Sequence, residues 1–500
     1  MELHTTDKRI GLTAVLFDEV DERPVDCDVM LPDFLPDVAA VLKCTMRPVV
    51  QTHQISGDRV LADGTVYLQV LYLDEERKRV HSFDLAQPFT SAFTVKGNGD
   101  TVTFTAKPNY VNCRATGPRR LDIHGACSIG LQMIGRCDTD ILEAAEGDGL
   151  YTKDCAITYT APAGSAEKSF TVNEVLELPG VAECVLRNEA SAVVSDCKQL
   201  PDKAVVKGDL FLKTVYVADA AGTLCQAKNR IPFSQILDVA GLTEQTLCEV
   251  NAVVLSCDTR LSQNPNGDCN LLSVSVKIGL SLHGFEQEHA TVLEDAFHTA
   301  YPLLASAEHL SVRRVLSCRQ ENVTARETVE LPDSEIAEIL DLWSEVTGTE
   351  HHTDRTATVQ LAVSMLTRDT KGLINYYERP CTVSVPVDAD GHVALTATVT
   401  ETEGAVNGNR LELRFVLLLC CRAYTAEEHT AITALQMGDA PHPCTEGLEN
   451  CQVKVCFAEA GESVWEIAKH RHTSPELLKA ENNLTDDVLK QRTMLLIPLA

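Results

Sequence analysis

The sequence predicts a mainly β protein: three tandem β-rich modules, sandwich or barrel-like and each with a short helix, followed by a small βααβ domain. Three observations predict it. A Leu-Pro marker recurs three times, each time ahead of an alternating strand. Every copy closes with a longer strand-like run, and the residues beyond a Gly- and Pro-bearing stretch carry strand, cap and helix signals of their own.

The marker reads Leu35-Pro36-Asp37 in the first copy, Leu178-Pro179-Gly180 in the second and Leu331-Pro332-Asp333 in the third. Proline at the first helical position gives up no needed hydrogen bond. Apolar residues follow at i, i+3 and i+4 (Val38, Val41 and Leu42; Ile336, Ile339 and Leu340), which makes one buried stripe and predicts a short helix at each marker. Period-two alternation then marks a strand at Val66, Leu68 and Val70, at Leu210 and Leu212, and at Val359, Leu361 and Val363. Gln87-Pro88-Phe89-Thr90 and Ile231-Pro232-Phe233-Ser234 recur at the same offset, and the closing runs span 121–135, 271–284 and 411–424. Turn signals lie between them at Gly97-Asn98-Gly99-Asp100, Asn264-Pro265-Asn266-Gly267 and Asp388-Ala389-Asp390-Gly391, where residues tolerate a positive φ. The pattern is mainly antiparallel β, and it places modules at 1–150, 151–296 and 297–432.

Gly438, Pro441, Pro443 and Gly447 make 433–451 a linker before a domain at 452–500. Val453 to Phe457 alternates as a strand. Ser463 precedes Glu466 by three residues, the capping-box spacing that starts a helix, and Ser474 before Pro475 starts a second. Trp465, Ile467 and Ala468 supply the first helix's core face, with Trp465 a buried core residue, and Leu477 and Leu478 point inward from the second. Leu495-Leu496-Ile497-Pro498 closes as a strand.

A formal net charge of −29, from 72 acidic and 43 basic residues, argues against nucleic acid or an anionic bilayer as partner. The short basic runs at Arg77-Lys78-Arg79 and Arg119-Arg120 read as solvated turns. Nineteen cysteines cannot all pair, so free thiols are expected. With no N-terminal secretory pattern and no apolar run longer than residues 415–421, the expectation is a cytoplasmic protein without a transmembrane segment.

The repeated marker resembles the SPOCS domain family of clostridial sporulation and spore-coat proteins, over residues 13–430, with Gly180 departing from the usual aspartate. Gly461-Glu462-Ser463-Val464-Trp465-Glu466-Ile467-Ala468, Asn482-Asn483-Leu484 and Leu496-Ile497-Pro498 resemble a LysM domain. That resemblance implies a shallow groove between loops 458–463 and 482–488. The residues placed there are Glu459, Gly461, Glu462, Ser463, Asn482, Asn483, Leu484, Asp486 and Asp487, of which Glu459, Glu462, Asp486 and Asp487 would make the edge acidic. The two resemblances together imply a non-catalytic spore-coat morphogenesis protein. It would dock through LysM onto the coat ATPase, stage IV sporulation protein A, at the forespore surface of the mother cell.

No phosphate loop, zinc-protease, nucleophile-elbow or dinucleotide motif is present, so no enzyme, catalytic residue or cofactor is expected. His351-His352 beside Asp354 reads as a solvated turn. His442, Cys444, Cys451 and Cys456 lack a Cys-x-x-Cys pair, so no metal is expected either. The alternative reading is a cell-wall LysM protein that grips peptidoglycan or chitin. A site hidden in the β modules is a further one, because fold does not fix function.

Overall fold

The computed structural model describes residues 3–96, 99, 101–331, 336–407, 410–442 and 453–498. The first unit contains β1 (His4–Met30), β2 (Ala40–Ser56), β3 (Arg59–Leu73), β4 (Val80–Thr94), β5 (Thr101–Gly117) and β6 (Arg120–Glu146). These form two antiparallel sheets, ordered β1-β6-β5 and β2-β3-β4. Alternation makes each sheet one-sided: Val60, Ala62, Val66, Leu68 and Val70 of β3 face Leu121, Ile123, Cys127, Ile129 and Leu131 of β6 in one buried core. The unit is therefore a sandwich.

The same order recurs twice. The second unit comprises β7 (Leu150–Glu177), β8 (Cys184–Leu200), β9 (Lys203–Val217), β10 (Leu224–Asp238), β11 (Leu247–Gln263) and β12 (Cys269–His298), paired β7-β12-β11 and β8-β9-β10. The third comprises β13 (Leu303–Glu330), β14 (Ile336–His351), β15 (Thr356–Asp369), β16 (Ile374–Pro386), β17 (His392–Asn407) and β18 (Arg410–Met437), paired β13-β18-β17 and β14-β15-β16. Each has its own core between its sheets. The closing runs seen in the sequence are the central strands β6, β12 and β18, and the alternating segments are the central strands β3, β9 and β15.

Two features join the units. In the first unit β5 ends its pairing with β6 at Thr101 opposite Ile134, whereas β1 continues along β6 to His4 opposite Glu146. The excess length projects as a two-stranded ribbon. Such ribbons from all three units meet in a shared core of Ile10, Leu12 and Ile141, of Ile157, Tyr159, Ala290 and Val292, and of Leu310, Val312 and Ala431. At the other junction the inner sheets converge. Leu71 and Leu73, Leu186 and Val215, and Leu340, Trp343 and Leu366 form a second three-way cluster.

Polar contacts close the ring in one direction. Arg79 of the first unit pairs with Glu183 of the second at 2.9 Å, Gln226 of the second donates to the Leu340 carbonyl of the third at 3.2 Å, and Glu378 of the third pairs with Lys43 of the first. Beside them, buried Asp341 accepts from Arg187 at 2.8 Å and from Lys213 at 2.7 Å, with the Arg187 guanidinium 4.3 Å from the Trp343 ring centre.

Three expectations need correction. The described residues at the markers form no helix; they turn directly into β2, β8 and β14, and Pro332 and Asp333 lie outside the described residues. The i, i+3, i+4 spacing fits a bulged strand equally well, because a bulge shifts the facing of side chains by one residue. Register breaks fall at Val41/Lys43, Val185/Arg187 and Ile339/Asp341, so Leu42, Leu186 and Leu340 are the extra residues, and all three turn into the inner three-way cluster.

The marker of the first copy is also displaced. Leu31 N–H donates to the Arg119 carbonyl (2.8 Å) as Leu178 N–H donates to that of Asn270 (2.8 Å), so Leu31-Pro32-Asp33, and not Leu35-Pro36-Asp37, corresponds to Leu178-Pro179-Gly180. Leu31, Leu178 and Leu331 are all buried. Arg119 is no solvated cation: it donates to the Leu35 carbonyl (3.1 Å) and the Asp37 carboxylate (2.8 Å) and so pins the longer first-copy loop. Finally, β18 continues to Met437, so 433–437 is strand and not linker, because the ribbon core needs Ala431 and the residues beside it paired with β13.

The described cysteines are free thiols. Among the described residues no helix is long and apolar enough to cross a membrane. Part of the Gly97–Asp100 turn and residues 443–451, including Cys444 and Cys451, lie outside the described residues.

Candidate functional site

The C-terminal domain pairs β19 (Val453–Ala458) with β20 (Thr493–Pro498) and places α1 (Val464–Arg471) and α2 (Pro475–Asn482) between them. Both helix starts follow from their caps. The Ser463 hydroxyl accepts from Glu466 N–H at 3.0 Å, and that of Ser474 accepts from Leu477 N–H at 3.2 Å with Pro475 in the first turn. Both helices end on left-handed residues, His472 (φ 53°) and Asn483 (φ 52°). Ala458, Val464, Ile467, Ala468, Leu478, Leu489, Leu495 and Ile497 form the core. Leu477 does not point inward. It is exposed, because two adjacent positions on a helix are 100° apart and Leu478 takes the inward one.

Loops 458–463 and 482–488 are stitched side by side. Gly461 N–H donates to the Leu489 carbonyl (2.8 Å), Leu489 N–H to that of Glu462 (3.0 Å) and Val464 N–H to that of Asp487 (2.8 Å). Gly461 sits at φ +94°, a conformation glycine takes without strain. The nine residues placed in the groove divide by what they already do. Ser463 is used as a cap. The Asn482 side chain donates to the Leu478 and Leu496 carbonyls (2.9 and 2.7 Å) and accepts from Leu496 N–H (2.7 Å), Asn483 terminates α2, and Leu484 packs against the core. Glu459, Glu462, Asp486 and Asp487 are left as exposed carboxylates along one edge.

This edge is less acidic than its sequence suggests. Arg492 pairs with Glu459 at 3.2 Å, Lys490 with Asp486 at 2.8 Å and Lys479 with Asp487. Surface pairs of this kind are worth about 0–1 kcal/mol, so a partner's cations can compete for the same carboxylates.

The far side of α1 is not free. Trp465 is half-buried, and its indole Nε1–H donates to Asp295 Oδ2 at 2.8 Å; Lys469 Nζ reaches both oxygens of the same carboxylate at 2.7 and 2.8 Å. Phe297, from the end of β12, meets the Trp465 ring edge-on with centroids 5.0 Å apart and enters this domain's core, and Tyr151 stacks behind it. Trp465 is thus an interface residue and not purely a core residue of its own domain. The sequence offered no signal for this contact, because Asp295 lies in a strand 170 residues away. A second feature went unseen: Val455, Phe457, Met494 and Leu496 lie exposed on the sheet face away from the helices, Val455 opposite Leu496 and Phe457 opposite Met494.

A ring of β sandwiches with a docked βααβ module defines a multidomain, mainly β protein. Comparison with protein families makes this specific: residues 37–116 and 182–262 match the family described as SipL, SPOCS domain, and residues 459–498 match the LysM domain. The chain thus resembles a SipL-like protein in carrying SPOCS and LysM domains, and this pairing suggests a sporulation coat-related protein. The matched SPOCS segments take in β2 to β5 and β8 to β11, that is, the inner sheet and the strand after it. No curated protein and no solved structure gives a significant match to the chain.

Proposed function

We propose that this chain is a non-catalytic spore-coat assembly protein. Its LysM domain docks onto a protein, stage IV sporulation protein A, at the forespore surface in the mother-cell cytoplasm. The carrying observation is the orientation of that domain: Asp295 fixes the far side of α1 while the edge formed by Glu459, Glu462, Asp486 and Asp487 faces solvent. A protein patch bearing Lys or Arg suits such an edge, and steering by those charges gives an association rate that falls with salt. Glycan suits it less. Loops 458–463 and 482–488 contain no aromatic residue for sugar stacking, and the Asn482 amide is already saturated. Under the same reading the three sandwich units are SPOCS modules that present surfaces to other coat proteins.

The test is binding of the purified full chain to purified stage IV sporulation protein A, compared with the Asp486→Lys/Asp487→Lys double variant and with chitin and peptidoglycan pull-down. Weaker binding of the folded double variant by about 1 kcal/mol, through slower association, supports docking at this edge. Unchanged affinity together with glycan capture sinks it.

A further inference from the structure

Where the second and third ribbons touch, three metal-ligating side chains meet that are far apart in the sequence. Cys155 lies on β7, Glu294 on β12 and His429 on β18. Their ligand atoms all fall within 4.8 Å of one another, and each side chain is partly buried. Cys155 Sγ is 3.9 Å from His429 Nδ1, and that nitrogen is 3.7 Å from Glu294 Oε1. Zinc bonds of about 2.3 Å to sulfur and 2.0–2.2 Å to nitrogen or oxygen give tetrahedral edges of roughly 3.4–3.6 Å, so the two separations that involve His429 lie within a few tenths of an ångström of such edges.

The surroundings also fit. His429 Nε2 faces the Glu427 carboxylate at 3.6 Å, just beyond hydrogen-bond distance, where closer approach would give a metal-bound imidazole its outer partner. Lys153 holds Glu294 through Oε2 at 3.2 Å, leaving Oε1 turned towards the histidine. Glu294 is itself the extra residue of a bulge, at the register break between Leu293 and Asp295, and bulges re-aim side chains. We propose that Cys155, Glu294 and His429 form a site for a divalent metal of the zinc class, with a fourth position open to water, that ties the second ribbon to the third.

The experiment uses the reduced full chain after chelator treatment. Cobalt(II) is added as a spectroscopic probe and zinc in a thermal melt, with Cys155→Ser, Glu294→Gln and His429→Ala compared with Cys184→Ser, an exposed thiol outside the set. One equivalent of cobalt giving a thiolate charge-transfer band, displaced by zinc, is expected for the wild type and Cys184→Ser. Affinity should fall at least tenfold in Glu294→Gln and His429→Ala, the band should vanish in Cys155→Ser, and zinc should raise the melting temperature of the wild type but not of these three. Absence of the band in the wild type, or its persistence in Cys155→Ser, overturns the site. Should Cys155→Ser fail to fold, undiminished affinity in both other variants does the same.

Discussion

Asp341 ties the third unit to the second through Arg187 and Lys213. Burial alone would raise its pKa, but the Arg187 guanidinium and Lys213 ammonium beside it outweigh that and hold it below the usual carboxylate value. A depressed folded-state pKa contributes stability that is present above the unfolded pKa of about 3.9 and is lost as pH falls through the folded value. Asp341→Asn should therefore show a shallower loss of stability below about pH 4 than the wild type, read from urea midpoints across that range. Asp341→Ala leaves buried Arg187 with only Glu189, at 3.3 Å, as a carboxylate partner, and a cost of roughly 3–5 kcal/mol is expected in the same assay at neutral pH. Asp295 makes a different test. It is half-exposed and joins two domains, so Asp295→Ala should free the LysM domain without unfolding it. The loss should be about 1–3 kcal/mol, seen as faster hydrogen exchange in α1 and at the end of β12 with unchanged exchange in the LysM core.

At the scale of elements, the turn after each unit's first long strand decides the register of everything that follows. The first copy contains Leu-Pro-Asp twice, at Leu31 and at Leu35, and one sequence cannot choose between them. The sandwich chooses the one whose leucine side chain reaches the core and whose N–H meets the start of the closing strand. Leu31→Ala should thus cost about 2–5 kcal/mol in chemical denaturation and Leu35→Ala well under half of that; equal effects would contradict this register. The missing helices have the same origin: five residues with i, i+3, i+4 spacing read as a helical stripe, while the waiting edge of β3, β9 or β15 offers hydrogen bonds that make them a bulged strand.

The whole molecule is a closed ring of three similar sandwiches, with one junction built from ribbons and the other from bulged leucines. Closure couples the units, since each junction draws side chains from all three. Leu186→Ala, which removes one of the three leucines, should cost about 2–5 kcal/mol and should raise hydrogen exchange at the starts of β2, β8 and β14 together. Exchange confined to β8 would mean that the units behave independently. The LysM domain stands on this ring through the end of the second ribbon, one residue from the Glu294 bulge, so its orientation is set by the ring.

The β class, the recurring strand segments and the C-terminal caps were legible because each rests on local chemistry: alternation at Val66, Leu68 and Val70, a serine three residues before Glu466, a proline after Ser474; the strand order was not. The two groove loops were legible for the same reason, since the LysM caps fix where they begin and end. Pairing between distant segments was not. Trp465 against Asp295, the three leucines of the inner junction, the lysines and arginine folded onto the acidic edge, and the Cys155, Glu294 and His429 set all join residues whose separation in the chain carries no periodic signal. Only packing decides them, because a side chain's partner across a junction depends on where whole sheets settle and on bulges that turn a residue from one face to the other.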